Sequence, residues 1–270
     1  MNNIIFNGAM GDTITISGVL KHLSLKINQP VTLHTNWPEI FDNNPYVKES
    51  LYRNGMEPNL QPCDNLFVNN LYSCNCVKHY FNQLNMEYTN DVETKIIFNK
   101  DEITLAKDEL KEFNNYKKIA VCMYSSSPAR DVEYEYMLNF IKKIKSLNVK
   151  LIFFGTKVPN DFENIFDKFV VGEPYTGLRR VFSIMNECNL YLGVDTGLFH
   201  AAAAIGIPQV VFFRNNGCNV NAYKNTYYVD SKIECSQVCR TVLNTYCESP
   251  IKCTKNYDLD AYYKIIVNLL

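Results

Sequence analysis

The sequence predicts an α/β protein built from doubly wound parallel sheets, and three observations lead to that prediction. Short apolar runs alternate with amphipathic segments, as strands and helices do in such sheets. The clearest stretch, residues 190–213, has the pattern of a strand, a tight turn, a short helix and a second strand. The 270 residues suffice for two modest domains. We expect the first domain to cover residues 1–115 and the second to cover residues 116–270.

The first half carries the weaker patterns. Its apolar periods and turn residues predict strands over residues 3–6, 31–35 and 66–68, and helices over residues 12–26, 77–84 and near 103–113. The region around residues 66–68 is rich in Asn, which gives little guidance to its structure. The predicted domain boundary falls in or just after the last of these helices.

The second half alternates more regularly. Strands are predicted over residues 118–124, 150–154 and 168–171, with helices over residues 134–147 and 178–189. A strand then leads to Asp195, a helix covers residues 198–205, and Gly206 and Pro208 precede another apolar strand. An amphipathic helix over residues 258–270 closes the chain. This alternation is typical of a parallel sheet with helices on its faces.

The composition limits the classes of function. Hydrophobic residues make up 47% of the chain and charged residues 20%, which is ordinary for a globular protein. The net charge of −1 argues against a nucleic-acid partner and against more than peripheral membrane contact. No apolar run approaches the roughly 20 residues that a membrane span needs. The first twelve residues lack the basic region of a signal peptide, so we expect a cytoplasmic protein. Its location can include the inner face of the membrane.

The chain has ten cysteines, which is many for such a protein. Cys122 and Cys188 lie in apolar contexts and are expected to be small buried side chains. The last four, Cys235, Cys239, Cys247 and Cys253, have the spacing C-x3-C-x7-C-x5-C. That spacing lacks the short knuckle of a structural zinc site, and a disulfide would need an oxidising compartment. Reduced thiols that pack a loop are the preferred interpretation, and no metal site is predicted.

The turn after the strand at residues 190–194 is the best candidate for a ligand site. Ligands of open parallel sheets bind at the carboxyl ends of the strands, where Asp195 lies. The backbone N–H groups of Thr196, Gly197 and Leu198 would begin a helix there and could hold phosphate oxygens. The Asp195 carboxylate is anionic, so we expect it to orient the loop or bind a sugar hydroxyl. An N-cap role for Asp195 is compatible with either.

The same segment resembles a known family. DTGLFHAAAAIGIP is similar to the DTG-x-x-H-x-A-x-A-x-G-x-P signature of the heptosyltransferase-like glycosyltransferases, glycosyltransferase family 9, which have the GT-B fold. Three further segments agree in order: Gly8–Asp12 after the first strand, NPYV at residues 44–47, and the cysteine cluster near the end. The resemblance implies two facing Rossmann-like domains with a cleft between them. The chain is short for the family, and the N-terminal domain is the reduced part.

The resemblance gives Asp12 the role of catalytic base. Asp12 follows Gly8 and Gly11 in what we expect to be a loop facing the cleft, and the Asp of the family's GD pair removes the acceptor proton. A helix N-cap is the alternative role for Asp12. The two glycines are expected to allow close backbone approach, and their G-x-x-G spacing is not the dinucleotide fingerprint. No cofactor is therefore predicted.

Other residues are candidates for donor binding. Arg130, with Ser125 and Ser126, lies in the loop after the strand at residues 118–124, where the family usually has a phosphate-binding Lys; a salt bridge of Arg130 with a neighbouring acid is the alternative. His200 could donate to a phosphate or fix the Asp195 loop, or be a packing histidine. Glu173 could bind a ribose hydroxyl and Arg179 could lie near the phosphates, although a plain loop and helix start explain both almost as well.

These expectations combine into one function. We expect an inverting, metal-independent glycosyltransferase that moves a sugar from a nucleotide diphosphate donor to a glycan or glycolipid acceptor. The resemblance implies ADP-heptose and a lipopolysaccharide core, while the reduced first domain leaves a smaller or different acceptor open. The alternatives are a non-catalytic protein that binds a sugar nucleotide or glycan, and a sugar-nucleotide epimerase of GT-B fold.

Overall fold

The computed structural model describes residues 3–6, 8–50, 64–65, 76–89, 92–126, 130–156, 164–172, 177–213, 223–229 and 257–270. Its strands are β1 (Asn3–Phe6), β2 (Val31–Thr35), β3 (Val47–Ser50), β4 (Asp64–Asn65), β5 (Lys118–Cys122), β6 (Lys150–Gly155), β7 (Lys168–Val171), β8 (Leu190–Val194), β9 (Gln209–Phe212) and β10 (Thr226–Tyr227). Its helices are α1 (Met10–Ile27), α2 (Cys76–Gln83), α3 (Lys100–Glu109), α4 (Tyr134–Lys145), α5 (Leu178–Asn186), α6 (Gly197–Ile205) and α7 (Leu259–Leu269), with short 3₁₀ helices at Pro38–Phe41 and Lys111–Phe113.

The strands form two parallel sheets. The first has the order β3-β2-β1-β4, and the second has the order β10-β9-β8-β5-β6-β7. All neighbouring strands in both sheets run parallel. The predicted α/β class with parallel sheets is confirmed. The predicted division near residue 115 lies between the two sheets and stays a prediction.

The chain order reverses once in each sheet. The first sheet grows from β1 to β2 and β3, and β4 then returns to the other side of β1. The second grows from β5 to β6 and β7, and β8 then returns to the other side of β5. In open parallel sheets such a reversal leaves a crevice at the carboxyl ends of the strands, where ligands bind. In the first sheet this crevice lies between β1 and β4, and in the second it lies between β5 and β8.

Burial explains why the central strands have uninterrupted apolar sequences. All five residues of β8 are buried, as are four of the five in β5. A parallel strand covered by helices on both faces has no solvent-facing side, so it lacks the alternating pattern of a half-exposed strand. Helix α4 shows the complementary pattern, because Met137, Phe140, Ile141 and Ile144 face the core while three lysines occupy its last turn. Lysines in that position also complement the helix dipole.

Helices α1 and α6 join the two halves. A Cβ atom at Gly11 of α1 would collide with the ring of His200 on α6, and a Cβ at Gly197 would collide with the Met10 side chain. The two helix N-termini therefore pack directly against each other. One hydrophobic core runs through this contact, from Ile4 and Phe6 of the first sheet to Phe199 and Phe213 of the second half.

The predicted elements differ from the observed ones mainly at their ends. Helix α1 begins at Met10, two residues before its predicted start, so Asp12 lies in the first helical turn and not in a loop. Helices α4 and α5 end at Lys145 and Asn186, short of the predicted ends. The predicted helix near residues 103–113 is divided into α3 and a 3₁₀ helix. The predicted strand over residues 66–68 lies outside the described residues.

Three short edge strands, β3, β4 and β10, were not predicted. Each has two to four residues, which is too short for a period of two to be recognised. Within the described part of the chain, no helix combines the length and the apolar character required to cross a membrane.

Candidate active site

The second-half crevice brings together two of the predicted regions. Asp195 and Thr196 directly follow β8, and Arg130 lies in the loop after the neighbouring strand β5. The Arg130 Nη1 donates a hydrogen bond to the backbone oxygen of Asp195 at 3.4 Å. Arg130 as a whole is half-buried. A positive side chain therefore stands beside the start of α6.

Thr196, and not Asp195, is the N-cap of α6. Its Oγ1 accepts hydrogen bonds from the N–H groups of Leu198, at 3.2 Å, and Phe199, at 3.4 Å. The predicted phosphate-binding N–H of Leu198 is thus already used by the cap. Thr196 Oγ1 also lies 3.4 Å from the Tyr191 hydroxyl, which donates to the Val194 oxygen at 2.9 Å. These contacts fix the start of α6, and the N–H groups of Thr196 and Gly197 are the ones that the cap does not use.

His200 lies one turn into α6 and belongs to a buried polar cluster. Its Nδ1 is 2.6 Å from the Tyr223 hydroxyl and 3.3 Å from the Oγ1 of Thr15 on α1. The Thr15 hydroxyl donates to the Gly11 oxygen at 2.9 Å and lies 2.9 Å from the Tyr223 hydroxyl. The His200 Nε2 lies 3.7 Å from Asp195 Oδ1. His200 therefore links both halves of the protein to the Asp195 turn.

Burial keeps His200 in its neutral form. Desolvation lowers the pKa of His200, against the opposing influence of the Asp195 and Asp12 carboxylates. Nearby Arg130 lowers the same pKa further. Gly11, the residue before Asp12, packs against the same imidazole that lies 3.7 Å from Asp195, although Asp12 and Asp195 are 183 positions apart in sequence.

Asp12 occupies the third position of α1 and is held from two sides. Its Oδ2 accepts the backbone N–H of Ala9, the N-cap residue, at 3.2 Å. Its Oδ1 accepts the hydroxyl of Tyr80, from α2, at 3.3 Å. The predicted alternative, that Asp12 is itself the N-cap, is wrong, because the cap position belongs to Ala9. Asp12 instead stabilises the helix start by accepting the N–H of the cap residue, as the third residue of a capping box does.

The two glycines of the first loop allow close packing within the protein. A Cβ at Gly8 would lie 2.5 Å from the Phe6 ring and 2.8 Å from the Asp12 Cβ. Gly11 faces His200, as described above. The Gly8 carbonyl accepts the indole N–H of Trp37, which follows β2, at 3.2 Å. Gly8 and Gly11 thus bring Asp12 to the contact between the two halves.

The structure gives Arg179, a predicted donor-binding residue, partners within the protein. Arg179 binds Glu102 through Nε at 2.6 Å and Nη2 at 2.8 Å, and its guanidinium also donates to the backbone oxygens of Ile97 and Glu39. This bidentate pair lowers the pKa of Glu102. Because its donors are occupied within the protein, Arg179 is a structural residue and we exclude it from the donor site.

The remaining predicted residues are partly described. The Ser125 N–H donates to Asp131 Oδ1 at 2.7 Å, and Ser125 and Ser126 lie at the carboxyl end of β5 with Arg130. Glu173 and the cysteines at 235, 239, 247 and 253 lie outside the described residues. Cys122 and Cys188 are buried, as predicted, and Cys76 is buried as well. Among the residues that the structure describes, no three His, Cys, Asp or Glu side chains are grouped to hold a metal ion.

Sequence reasoning missed four side chains of this region: Thr15, Trp37, Tyr80 and Tyr223. Thr15 could have been found, because it lies one helical turn after Gly11 on the same face of α1. Tyr80 and Tyr223 reach the site only through long-range packing, over 68 and 23 positions from their partners Asp12 and His200. No local pattern in the sequence carries that information.

Comparison with known proteins identifies the family. A model of glycosyltransferase family 9 (heptosyltransferase) matches residues 104–240, just over half of the chain. No curated protein matches in a search by sequence.

Solved structures agree in fold. The family 9 glycosyltransferase from Veillonella parvula superimposes with a TM-score of 0.77 at 14% identity, covering 99% of this chain and 96% of the other. The ADP-heptose lipopolysaccharide heptosyltransferase II of E. coli gives 0.71 at 12% identity, with 99% of each chain covered. E. coli heptosyltransferase WaaC, solved with ADP-2-deoxy-2-fluoro heptose, gives 0.62 at 10% identity, also with 99% of each covered. The fold is that of these glycosyltransferases, and the chain belongs to glycosyltransferase family 9.

Proposed function

We propose that this glycosyltransferase is an inverting, metal-independent enzyme of the cytoplasm that transfers a heptose from ADP-heptose to a hydroxyl of a glycan or glycolipid, such as a lipopolysaccharide core. One observation carries the proposal. The contact between α1 and α6 packs Gly11, the neighbour of Asp12, against the ring of His200. The His200 Nε2 lies 3.7 Å from Asp195 Oδ1, and the backbone oxygen of Asp195 accepts a hydrogen bond from Arg130. Sugar transfer needs a base for the acceptor and positive charge for the leaving diphosphate.

The donor side lies in the second half. The first turn of α6 presents backbone N–H groups and the positive end of a helix dipole, which favours phosphate oxygens. Arg130, half-buried beside that turn, can hold a phosphate through two parallel hydrogen bonds of its guanidinium. Together these groups can stabilise the charge that develops on the diphosphate without a metal ion. The choice of ADP and heptose rests on the ligands named for the E. coli enzymes of the same fold.

The acceptor side begins at Asp12. Its carboxylate takes the proton from the acceptor hydroxyl as the oxygen forms a bond to the anomeric carbon of the donor. The bond between that carbon and the diphosphate oxygen breaks, and ADP leaves with the electron pair toward Arg130 and α6. A single displacement of this kind inverts the anomeric centre. Asp195 stays outside the chemical step, because its backbone oxygen accepts from Arg130 and its carboxylate lies 3.7 Å from His200.

Replacement of the base tests this proposal. The variant Asp12→Asn keeps the shape of the side chain and removes its ability to take a proton, so kcat for ADP release should fall by roughly 10²–10⁴-fold. Turnover is measured with ADP-heptose and deacylated lipopolysaccharide core as acceptor. The variant Asp101→Asn is the matched control, since Asp101 is also in the first turn of a helix but is exposed, and it should retain full activity.

Measurements of nucleotide binding distinguish the transferase from a binding protein and from an epimerase. Thermal unfolding is followed with ADP, UDP, GDP, CDP and CMP, and ADP at a hundred times its dissociation constant should add about 2.7 kcal/mol of stability to both the wild type and Asp12→Asn. Stabilisation by ADP without ADP release from any acceptor would indicate a binding protein. Conversion of the donor without acceptor would indicate an epimerase. Undiminished transfer by Asp12→Asn would exclude Asp12 as the base.

A further inference from the structure

Helix α2 carries Tyr80, whose hydroxyl lies beside the carboxylate of Asp12. Tyr80 is fully buried, and its ring packs edge-on against Phe6 of β1, with ring centroids 5.5 Å apart and an interplanar angle of 88°. The Phe6 ring in turn lies against Gly8, where any Cβ would displace it. The ring of Tyr80 is thus held in place by residues that surround the start of α1.

The hydroxyl of this buried ring is directed at the functional group of the site. A buried phenol needs a hydrogen-bond partner, and the Tyr80 hydroxyl donates to Asp12 Oδ1 at 3.3 Å. This distance is longer than that of a usual O–H···O hydrogen bond, and hydrogen bonds at catalytic groups are often long before substrate binds. The Ala9 N–H holds the other oxygen at 3.2 Å. The two donors together fix the plane in which the carboxylate lies.

We propose that Tyr80 is a positioning residue for Asp12, an inference that rests on the proposed function of Asp12 as the base. The hydroxyl holds Oδ1 while the Ala9 N–H holds Oδ2, so the carboxylate that would take the acceptor proton keeps one orientation. Other ionisable groups act on this region as well: Asp12 interacts electrostatically with Cys76 of α2, with His200 of α6 and with Tyr223. Tyr80 differs from them in donating a direct hydrogen bond to the carboxylate.

The variant Tyr80→Phe removes only the hydroxyl and keeps the ring packed against Phe6. We expect kcat to fall about tenfold, with the KM for the donor within about twofold of wild type, because the donor side is untouched. The loss in kcat and the loss in kcat/KM for the donor should be equal, which is the pattern of an interaction made only in the transition state. A purely structural role for Tyr80 would raise the KM for the donor along with any loss in kcat.

The matched control is Tyr88→Phe. Tyr88 is half-buried and packs edge-on against Phe81, so the same hydroxyl is lost from the same region of the fold. Its kcat and its KM for the donor should equal those of the wild type. A second variant, Tyr80→3-fluorotyrosine, keeps the hydroxyl as a hydrogen-bond donor at the same place, so its kcat should stay within about twofold of the wild type.

The outcomes distinguish this inference from the proposed function. Loss of activity in Asp12→Asn together with unchanged kcat in Tyr80→Phe would overturn the positioning role alone. Full activity in Asp12→Asn would overturn the proposed base, and the Tyr80 inference would fall with it. A loss of kcat in Tyr80→Phe at unchanged KM for the donor, with wild-type kcat in Tyr80→3-fluorotyrosine, would establish the inference.

Discussion

The His200 side chain is both part of the core packing and a neighbour of the candidate site. A histidine on a small-residue helix could equally be a phosphate donor or a packing residue, and the sequence left both roles open. In the structure its Nδ1 is engaged by Tyr223, and its Nε2 faces Asp195 at 3.7 Å. It therefore lies between the core and the Asp195 turn, and its burial away from water disfavours the charged form of the ring.

The lowered pKa of His200 predicts a specific acid sensitivity. The folded protein takes up this proton at lower pH than the unfolded chain does, so the His200 contribution to stability is present above about pH 6.5 and is lost as the pH falls below it. The wild type should lose up to about 1.4 kcal/mol per pH unit more than His200→Asn between pH 6.5 and 5. Urea unfolding of both proteins across that range measures the difference, and equal slopes would contradict the prediction.

At the scale of elements, the decisive contact is the one between α1 and α6. Gly11 is in this contact because no larger residue fits between the helix backbone and the His200 ring. In an isolated helix alanine would be more stable than glycine by roughly 0.5–1 kcal/mol. The packing against α6 reverses that preference.

The variant Gly11→Ala should therefore be destabilised by about 1–3 kcal/mol, because the added Cβ forces the two helices or the imidazole to move. In a His200→Ala background the same change should be neutral or stabilising, since the colliding ring is gone. Chemical denaturation of the four proteins of this cycle gives the coupling energy. Additive effects would show that the helices do not meet at this point.

The sequence predicted the elements that have a strong period and missed those decided by distant partners. Strands β5, β6 and β8 are continuous apolar runs and could be located closely, and the small residues of 198–205 marked α6 correctly. The start of α1 was misplaced because Ala9 is not a usual N-cap residue, so the sequence carries no signal at the true boundary. Arg179 was assigned to the phosphates because its partner Glu102 is 77 positions away.

At the scale of the whole molecule, the Arg179–Glu102 pair fastens the second half to the region before it. Helix α5 carries Arg179, and the backbone oxygens of Glu39 and Ile97 share its guanidinium with Glu102. The side chains of the pair are 12% and 18% exposed, and the guanidinium lies over the Phe98 ring. Salt screens the attraction in such a sheltered pair only weakly. If one partner is removed, the other is left with little access to water.

Loss of the Arg179–Glu102 pair should lower the stability of the whole protein. We expect Arg179→Met to lower the free energy of unfolding by about 2–3 kcal/mol, because Glu102 and two backbone oxygens lose a charged donor. The neighbouring Arg180→Met is the control: Arg180 pairs with Glu109 at the surface, where an ion pair contributes about 1 kcal/mol or less. Denaturant unfolding of both variants gives the comparison. Equal losses would mean that Arg179 does not fasten the halves together.

The indole bonded to the Gly8 carbonyl is that of Trp37, the single tryptophan of the chain. Light absorbed selectively by tryptophan is therefore emitted from one ring only, which lies against the loop that leads into α1 and Asp12. Since the ring is half-buried there, its emission wavelength depends on how much water reaches it. The protein thus carries an intrinsic optical probe beside its proposed base, and rearrangement of that loop can be followed in solution without attaching a label.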